Sequence, residues 1–336
     1  MTSMLRTLTA PPRTGVALCV FNGVRFLREQ LDSIARQTQL PDRMAIVDDG
    51  STDGSWEVLQ QWAAEAPMPV TLHRNDTNVG VVRNFENAAR MLLDKVDIVF
   101  FSDQDDAWFP GKLAAFVDAF AADPRLGLVH SDAELVDAAG QSLGTRLFTA
   151  LRVTDRERRE VAAGRAWRAY VKRNLVTGAA CACRSEVLER AMPFSPDTVH
   201  DDWISFTAGL VSRVKLLDEP HMAYRLHGKN TVGLPIPGFR WWLRTVVDSV
   251  LAPQVPIQKK RLERLLQMRA HAQQLGAPAD AMACLDRGIE HATHRCRLPR
   301  AFLRRWTAVI AQWRAGQYHE WSSGELSVLH DVLIAT

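Results

Sequence analysis

Four short apolar runs, residues 16–20, 43–48, 70–74 and 96–102, alternate with segments of helical periodicity near 24–37, 55–65 and 82–93. In the first helical segment Phe26, Leu27, Leu31 and Ile34 recur at the spacing that places them on one face. Strands separated by helices are not joined by hairpins, so the alternation predicts a parallel α/β sheet covered by helices. A further strand is expected at 126–131, with 132–140 turning into a short antiparallel strand. Residues 150–165, crowded with Arg and Glu, read as a solvated segment. Beyond them, 176–184 is expected to form a strand, 200–210 a short helix, and 213–218 and 222–225 two more strands. Pro235, Pro237 and Gly238 then punctuate a change of character. From Phe239 the pattern is helical, with one stripe formed by Trp241, Trp242, Val246 and Val250 and another by Leu262, Leu265, Leu266, Met268 and Leu275. The expected division is a front domain over 1–237 and a helical region over 238–336.

The fourth apolar run ends in charge. Phe100-Phe101-Ser102-Asp103-Gln104-Asp105-Asp106-Ala107-Trp108 sets three carboxylates at the end of what reads as a buried strand. Such charge is costly unless a cation or a ligand meets it. Pro110, followed by Lys112, Leu113, Phe116, Val117 and Phe120, opens an amphipathic helix that Asp106 could cap. The acids then lie at a strand's carboxyl end, where open α/β sheets bind ligands. Asp48-Asp49-Gly50-Ser51-Thr52-Asp53 repeats the arrangement after the second strand. Its glycine permits a tight turn, and Ser51, Thr52 or Asp53 can cap the next helix. Asp48 and Asp49 are left to accept hydrogen bonds from a base N–H or from ribose hydroxyls. Neither G-x-x-x-x-G-K-[S/T] nor G-x-G-x-x-G occurs, so phosphates must be held otherwise. A divalent cation, Mg²⁺ or Mn²⁺, is the natural device, because carboxylate oxygens suit it and it bridges diphosphate oxygens. Arg83, in Asn78-x-Gly80-x-x-Arg83-Asn84, either adds a cation for phosphate or an Asp or lies on a solvated helix face.

At 336 residues with 47% hydrophobic and 24% charged residues, the chain can bury a full core. Its five cysteines have neither C-x-x-C spacing nor the density of a disulfide scaffold, and read as reduced thiols, with Cys181 and Cys183 on one strand face. No apolar run approaches the roughly 20 residues that span a bilayer, and residues 1–14 lack the apolar core of a signal peptide, so a cytoplasmic protein is expected. The net charge of +3 is unevenly divided: residues 238–336 carry 14 Lys/Arg against 8 Asp/Glu, and residues 1–237 carry 27 against 30. Arg240, Arg244, Lys259, Lys260, Arg261 and Arg264 interleave with Trp241 and Trp242. A basic amphipathic helix of this kind can lie on an anionic bilayer; helices packing on the front domain or pairing with a second subunit give the same pattern. The excess is too small for nucleic-acid binding, and no recognition motif accompanies it.

Cys19-Val20-Phe21-Asn22-Gly23, Gln37-Thr38, Val47-Asp48-Asp49-Gly50-Ser51-Thr52-Asp53 and Ser102-Asp103-Gln104-Asp105-Asp106-x-Trp108, in this order, resemble the family 2 glycosyltransferases. The F-S-D-Q-D-D-x-W form, with His200-Asp201-Asp202-Trp203 and Tyr224-Arg225-Leu226-His227-Gly228-Lys229-Asn230, is similar to the branch containing rhamnosyltransferases of cell-surface polysaccharide assembly. The resemblance covers about residues 14–233. It implies a GT-A fold, Rossmann-like, with a mostly parallel sheet and helices on both faces, and leaves the C-terminal helical region outside the shared motifs. It further implies direct, inverting displacement at the anomeric carbon of a nucleotide sugar. Rhamnose from a deoxythymidine diphosphate carrier is the first expectation for the donor, and a surface-polysaccharide or lipid-linked glycan for the acceptor.

Carried over residue by residue, Phe21 with the backbone near Cys19 would flank the nucleobase, Asp49 would bind the base and Asp103 the ribose. Asn22 and Arg83 complete the nucleotide-sugar set. Asp105 and His227 would hold the metal, and Asp201 would be the general base. His200 stands where many relatives have Glu and reads also as a helix-start residue satisfied locally, while Asp202 competes with Asp201. One base suffices for inversion, because a metal-bound diphosphate leaves with little protonation. Trp108 and Trp203 read as pocket wall or core. Two rival readings are a noncatalytic nucleotide-sugar-binding protein and a nucleotidyltransferase, although the latter needs a glycine- and lysine-rich loop after the first strand.

Overall fold

The computed structural model describes residues 11–228 and 254–333, together with Leu5, Arg6 and Leu8. The chain forms two compact units, Met1–Leu234 and Pro235–Thr336.

In the first unit β1 (Thr14–Val20), β2 (Arg43–Asp48), β3 (Val70–Arg74) and β4 (Ile98–Ser102) run parallel, connected by α1 (Val24–Ala35), α2 (Ser55–Glu65) and α3 (Val81–Arg90). Every residue of β1 and β4 is buried, as central strands covered on both faces require. There follow β5 (Ala107–Trp108), α4 (Lys112–Ala122), β6 (Leu126–Val136), β7 (Ser142–Arg146), α5 (Leu147–Ala150), α6 (Asp155–Ala162) and α7 (Trp167–Tyr170). A 3-10 turn, Gly178–Ala180, then leads into β8 (Cys181–Arg184), α8 (Ser185–Ala191), α9 (His200–Val211) and β9 (Arg213–Arg225). The nine strands form one sheet in the order β3-β2-β1-β4-β8-β6-β9-β5, with β7 paired to β6. The sheet is parallel through β4 and mixed beyond it: β8 is antiparallel to both β4 and β6, whereas β9 is parallel to β6. This is a curled mixed sheet with helices on both faces, the GT-A architecture.

Several local expectations are corrected. The charged segment 150–165 contains α6, whose start is closed by a reciprocal cap: the Glu157 N–H donates to Thr154 Oγ1 (3.3 Å), and the Thr154 N–H donates to Glu157 Oε2 (2.9 Å). Arg173 also donates to Glu157 Oε2, at 2.7 Å, so the helix has a partner for its charge. β6 runs straight through Asp132 to Val136. The two strands expected over 213–225 are one, and Pro220 sits inside it at a register shift opposite Asp132, where a missing N–H does not break the ladder. The strand expected over 176–184 shortens to β8, because its first half is taken up by the 3-10 turn.

The second unit consists of helices Gln254–Gln274, Ala279–Cys296, Phe302–Arg314, Gln317–Trp321 and Glu325–Leu333. Of the predicted leucine stripe, Leu265 and Met268 are buried and Leu266 is exposed. The stripe through Trp241, Trp242, Val246 and Val250, the cations Arg240 and Arg244, and the Pro235 to Gly238 break lie outside the described residues. Arg295 and Asp331 form a buried bidentate pair (2.6 and 2.8 Å), to which the Tyr318 hydroxyl adds a hydrogen bond at 2.8 Å. All five cysteines are free thiols, four of them buried. Among the described residues no helix is long and apolar enough to cross a membrane.

Candidate active site

Val20 of β1 lies in register with Asp48 of β2, and Leu18 with Ser102 of β4, so three parallel strands end side by side. The chain passes from β1 outward to β2 and β3 and returns to β4 on the other side of β1. That reversal opens a crevice at the carboxyl ends of β1 and β4.

The loop after β1 is shaped by its neighbours. Asn22 adopts a left-handed backbone (φ 49°), its N–H donates to Ser51 Oγ (2.9 Å), and its side-chain oxygen accepts the Thr52 N–H (2.9 Å). Gln104 clamps Phe21 through two bonds, accepting its N–H (2.7 Å) and donating to its carbonyl (3.0 Å). A Cβ on Gly23 would fall 2.2 Å from Gln104 Oε1, which is why a glycine stands there. The Phe21 ring is left 45% exposed at the crevice, and Cys19 lies buried beneath it. Burial first, then Asp103 and Asp49, push the Cys19 thiol up, so it stays protonated. Gln104 is a residue the sequence reading passed over; its only signal is its place between two acids.

After β2 the acids divide. Asp48 is fully buried; its Oδ2 accepts from the Ser51 N–H (3.0 Å) and from Arg74 Nε (3.2 Å) and so anchors the loop, while its Oδ1 has no hydrogen-bond partner. Asp49 Oδ1 accepts from Asn75 Nδ2 and the Val79 N–H (both 2.8 Å), and its Oδ2 accepts only the Gly80 N–H (3.0 Å). Asp53 serves both helices, accepting from the Val24 N–H and the Ser55 N–H (both 3.0 Å). Arg83 lies on the exposed side of α3, paired with Glu86 at 3.2 Å.

The loop after β4 carries the electrostatic load. Asp103 is pushed up to about 8 by burial, then by Asp105 and Asp201, with Lys112 opposing. Asp105 Oδ2 lies 2.6 Å from His227 Nε2, and the His227 ring stacks on Phe26 at 5.1 Å. Asp106 does not cap α4. The chain first forms β5 against β9, and there the buried Asp106 accepts the Arg225 N–H at 3.0 Å. Its second oxygen has no hydrogen-bond partner, and burial, then Asp105 and Asp103, push its carboxyl well up. Arg225 braces the loop further, donating to the Asp105 carbonyl (2.8 Å) and to Glu29 (2.7 Å).

Asp201 is the second residue of α9. Its Oδ1 accepts from Asn174 Nδ2 (2.9 Å) and the Asp202 N–H (2.7 Å), and its Oδ2 accepts from the Gly178 N–H (2.8 Å). Burial and then Asp202 nevertheless push its carboxyl up to about 7. Asp201 keeps partial access to solvent, whereas Asp202 is 4% exposed. His200 is buried against Phe85 (centroids 3.9 Å apart), and burial pushes it down to about 3. Neither of its ring nitrogens has a hydrogen-bond partner, so the expected local satisfaction is absent and the ring acts as a neutral core aromatic. Trp108 and Trp203 are core residues; Trp203 Nε1 donates to the Ala191 carbonyl at 2.8 Å.

The crevice thus has a partly exposed carboxyl, Asp103, influenced electrostatically by Asp105, which pairs with His227, and by Asp201, both of them also partly exposed. An exposed aromatic ring stands on the neighbouring loop. The class this defines is a GT-A domain with an acid cluster at its strand ends. The sequence profile of glycosyl transferase family 2 matches residues 16–140. An uncharacterized glycosyltransferase of Nostoc sp. is 28% identical over 231 residues, covering 65% of this chain and 66% of its own. The dTDP-rhamnosyl transferase RfbG of Shigella flexneri is 28% identical over 103 residues, covering 30% of this chain and 36% of its own. The chain therefore spans from about a third to just under two thirds of these relatives. TarS 1–349 of S. aureus, solved with UDP-GlcNAc, has a TM-score of 0.52 at 16% identity, covering 94% of this chain and 90% of its own. Over residues 16–140 the chain resembles glycosyl transferase family 2.

Proposed function

We propose that this protein transfers a sugar from a nucleoside diphosphate carrier to an acceptor hydroxyl, with inversion. The observation that carries the reading is the meeting of three separate segments, 103–105, 201 and 227, at the carboxyl ends of β1 and β4. Phe21 offers a ring face to the base. Asp49 Oδ2, which accepts a single hydrogen bond, keeps capacity for a base N–H. Asp103 is suited to ribose hydroxyls and Asn22 holds the loop beside it, whereas Arg83 would reach phosphate only by leaving Glu86.

Asp105 and His227 present an oxygen and a nitrogen donor 2.6 Å apart. Among the described residues no group of three or more His, Cys, Asp or Glu could hold a metal. Two protein donors completed by diphosphate oxygens and water match how Mg²⁺ or Mn²⁺ is held beside phosphates. When bound, the cation stabilises the departing diphosphate. Asp201 takes the acceptor proton. Being raised to about 7, it is a stronger base than an ordinary carboxylate yet still substantially ionised at neutral pH. The burial of Asp202 supports Asp201 over it.

Rhamnose from a deoxythymidine diphosphate carrier is the first candidate, supported by the D-Q-D-D-x-W form and the similarity to RfbG. The acceptor is a surface-polysaccharide or lipid-linked glycan, met at the cytoplasmic face of a membrane. The second unit supports this. Phe302, Leu303 and Trp306 are exposed on one helix, Arg297, Arg300 and Arg304 are exposed around them, and no acidic residue occurs from 291 to 319. Apolar and cationic groups so mixed suit an anionic bilayer; a second subunit is the other candidate for that face. A noncatalytic binder would have no use for a raised Asp201, and the loop after β1 lacks the glycines and lysine of a nucleotidyltransferase.

The test is thermal unfolding with a panel of nucleoside diphosphates and their sugars, with and without Mn²⁺ or Mg²⁺. A ligand of the folded state present at 100 times its Kd adds about 2.7 kcal/mol of stability. Metal-dependent stabilisation by at least one nucleotide is expected; none, under any metal condition, would refute the reading.

A further inference from the structure

The first residue of α4, Lys112, is fully buried, and no role above uses it. A lysine is almost never buried completely without specific partners. Its Nζ donates to the Ala179 carbonyl at 2.5 Å, lies 3.5 Å from Met222 Sδ, and stands 4.0 Å over the Trp108 ring. Ala179 is the middle residue of the 3-10 turn Gly178–Ala180, whose first N–H donates to Asp201 Oδ2 at 2.8 Å. The turn is also confined from the side of α9, because a Cβ on Gly178 would fall 2.4 Å from His200 Nε2. Ala179 is itself buried, so without the amine its carbonyl would lose its partner or the turn would move to find another.

We propose that Lys112 is a positioning residue for Asp201: its amine fixes the Gly178–Ala180 turn in the place from which the Gly178 amide aims the carboxylate. The proposal rests on the reading of Asp201 as the base. Two hydrogen bonds, the first closing 67 residues of sequence and the second 23, link α4 through the turn to Asp201. The other titratable groups acting on this carboxyl are Asp202, Asp103, Cys181 and Tyr224, and none of them is altered in the test.

The carboxyl carbon of Asp201 is titrated by ¹³C NMR in the full chain without ligand, its resonance identified by its loss in Asp201→Asn. Lys112→Met keeps the length of the side chain and removes the donor; Gly178→Ala displaces the turn and leaves the lysine, which burial pushes down to about 7, unaltered. Both weaken a hydrogen bond that favours the ionised carboxyl, so both midpoints are expected to rise by about half a pH unit or more. Release of dTDP from dTDP-rhamnose should fall about tenfold in each, as a misplaced base requires, with dTDP binding unchanged. An unmoved midpoint in Lys112→Met overturns the proposal. A rise there without one in Gly178→Ala assigns the effect to charge alone and overturns it equally. Gly178→Ala by itself decides the matter if the lysine variant does not fold: an unmoved midpoint there refutes control through the turn. Wild-type turnover in Asp201→Asn would instead overturn the reading of the base.

Discussion

Gly23 and Gln104 work as one unit, since the Gln104 amide occupies the space that any side chain at position 23 would need. Gly23→Ala should therefore displace the clamp on Phe21 and weaken nucleoside diphosphate binding about tenfold, read by calorimetry, with little change in unfolding temperature. The acids at 48–49 and 103–106 of the candidate site stood out in the sequence because charge at a buried strand's end demands a partner, whereas Asp201, at a helix start, was implied by the family resemblance alone. Gln104 and Arg225 were not, because their bonds to Phe21 and Asp106 close 83 and 119 residues apart and no local pattern marks them. The anchoring bond of Asp48 was hidden for a related reason: its partner Arg74 lies at the end of the neighbouring strand. Protonation also belongs to this scale. Asp103 and Asp201 are raised to about 8 and about 7, so the folded chain binds these protons more tightly than the unfolded chain does. Their contribution to stability is full below about pH 4 and is lost as pH rises toward 8. Asp103→Asn should accordingly raise the unfolding temperature at pH 8 and leave it nearly unchanged at pH 4; a variant less stable than the parent at pH 8 would contradict this.

At the scale of elements, periodicity located β1 to β4 and the helices between them, because buried parallel strands are continuous apolar runs. It failed where tertiary pairing decides the outcome. β5 is two residues long and exists through its pairing with β9. Pro220 hid the continuity of β9, although a register shift accommodates it. The Thr154 to Glu157 capping box was present as a sequence signal, masked by the density of charge after it. Thr154→Ala should destabilise the first unit by about 1 kcal/mol, seen as a lower midpoint in urea; no change would mean that contacts of Arg173 alone hold α6.

For the whole molecule, a parallel α/β sheet with acids at its strand ends followed from strand alternation and acid placement, and its GT-A form was implied by the family resemblance, while the mixed order of the sheet beyond β4 left no mark, since antiparallel insertions leave no period of their own. The basic surplus of the tail left an anionic bilayer, packing on the front domain and pairing with a second subunit all open. Among the described residues of the second unit, Phe302, Leu303 and Trp306 are exposed on one helix flanked by arginines, Ile257 and Leu266 are exposed on the first, and Leu326, Leu329 and Leu333 on the last. Leu303→Glu with Trp306→Glu should reduce sedimentation with vesicles rich in phosphatidylglycerol at least tenfold, and raised salt should weaken the parent in the same assay. Binding that is indifferent to both would exclude this face as the bilayer contact.

The central claim is that Asp201 performs the transfer chemistry at a nucleotide-sugar site completed by Asp103 and Asp105. Its most direct measurement is turnover of the nucleotide sugar that stabilises the protein, in Asp201→Asn and Asp202→Asn side by side, with nucleotide affinity measured on the same samples. Asp201→Asn should lose about 10²- to 10⁴-fold in turnover while keeping its affinity, and Asp202→Asn should lose far less. Turnover abolished in Asp202→Asn and preserved in Asp201→Asn would contradict the account.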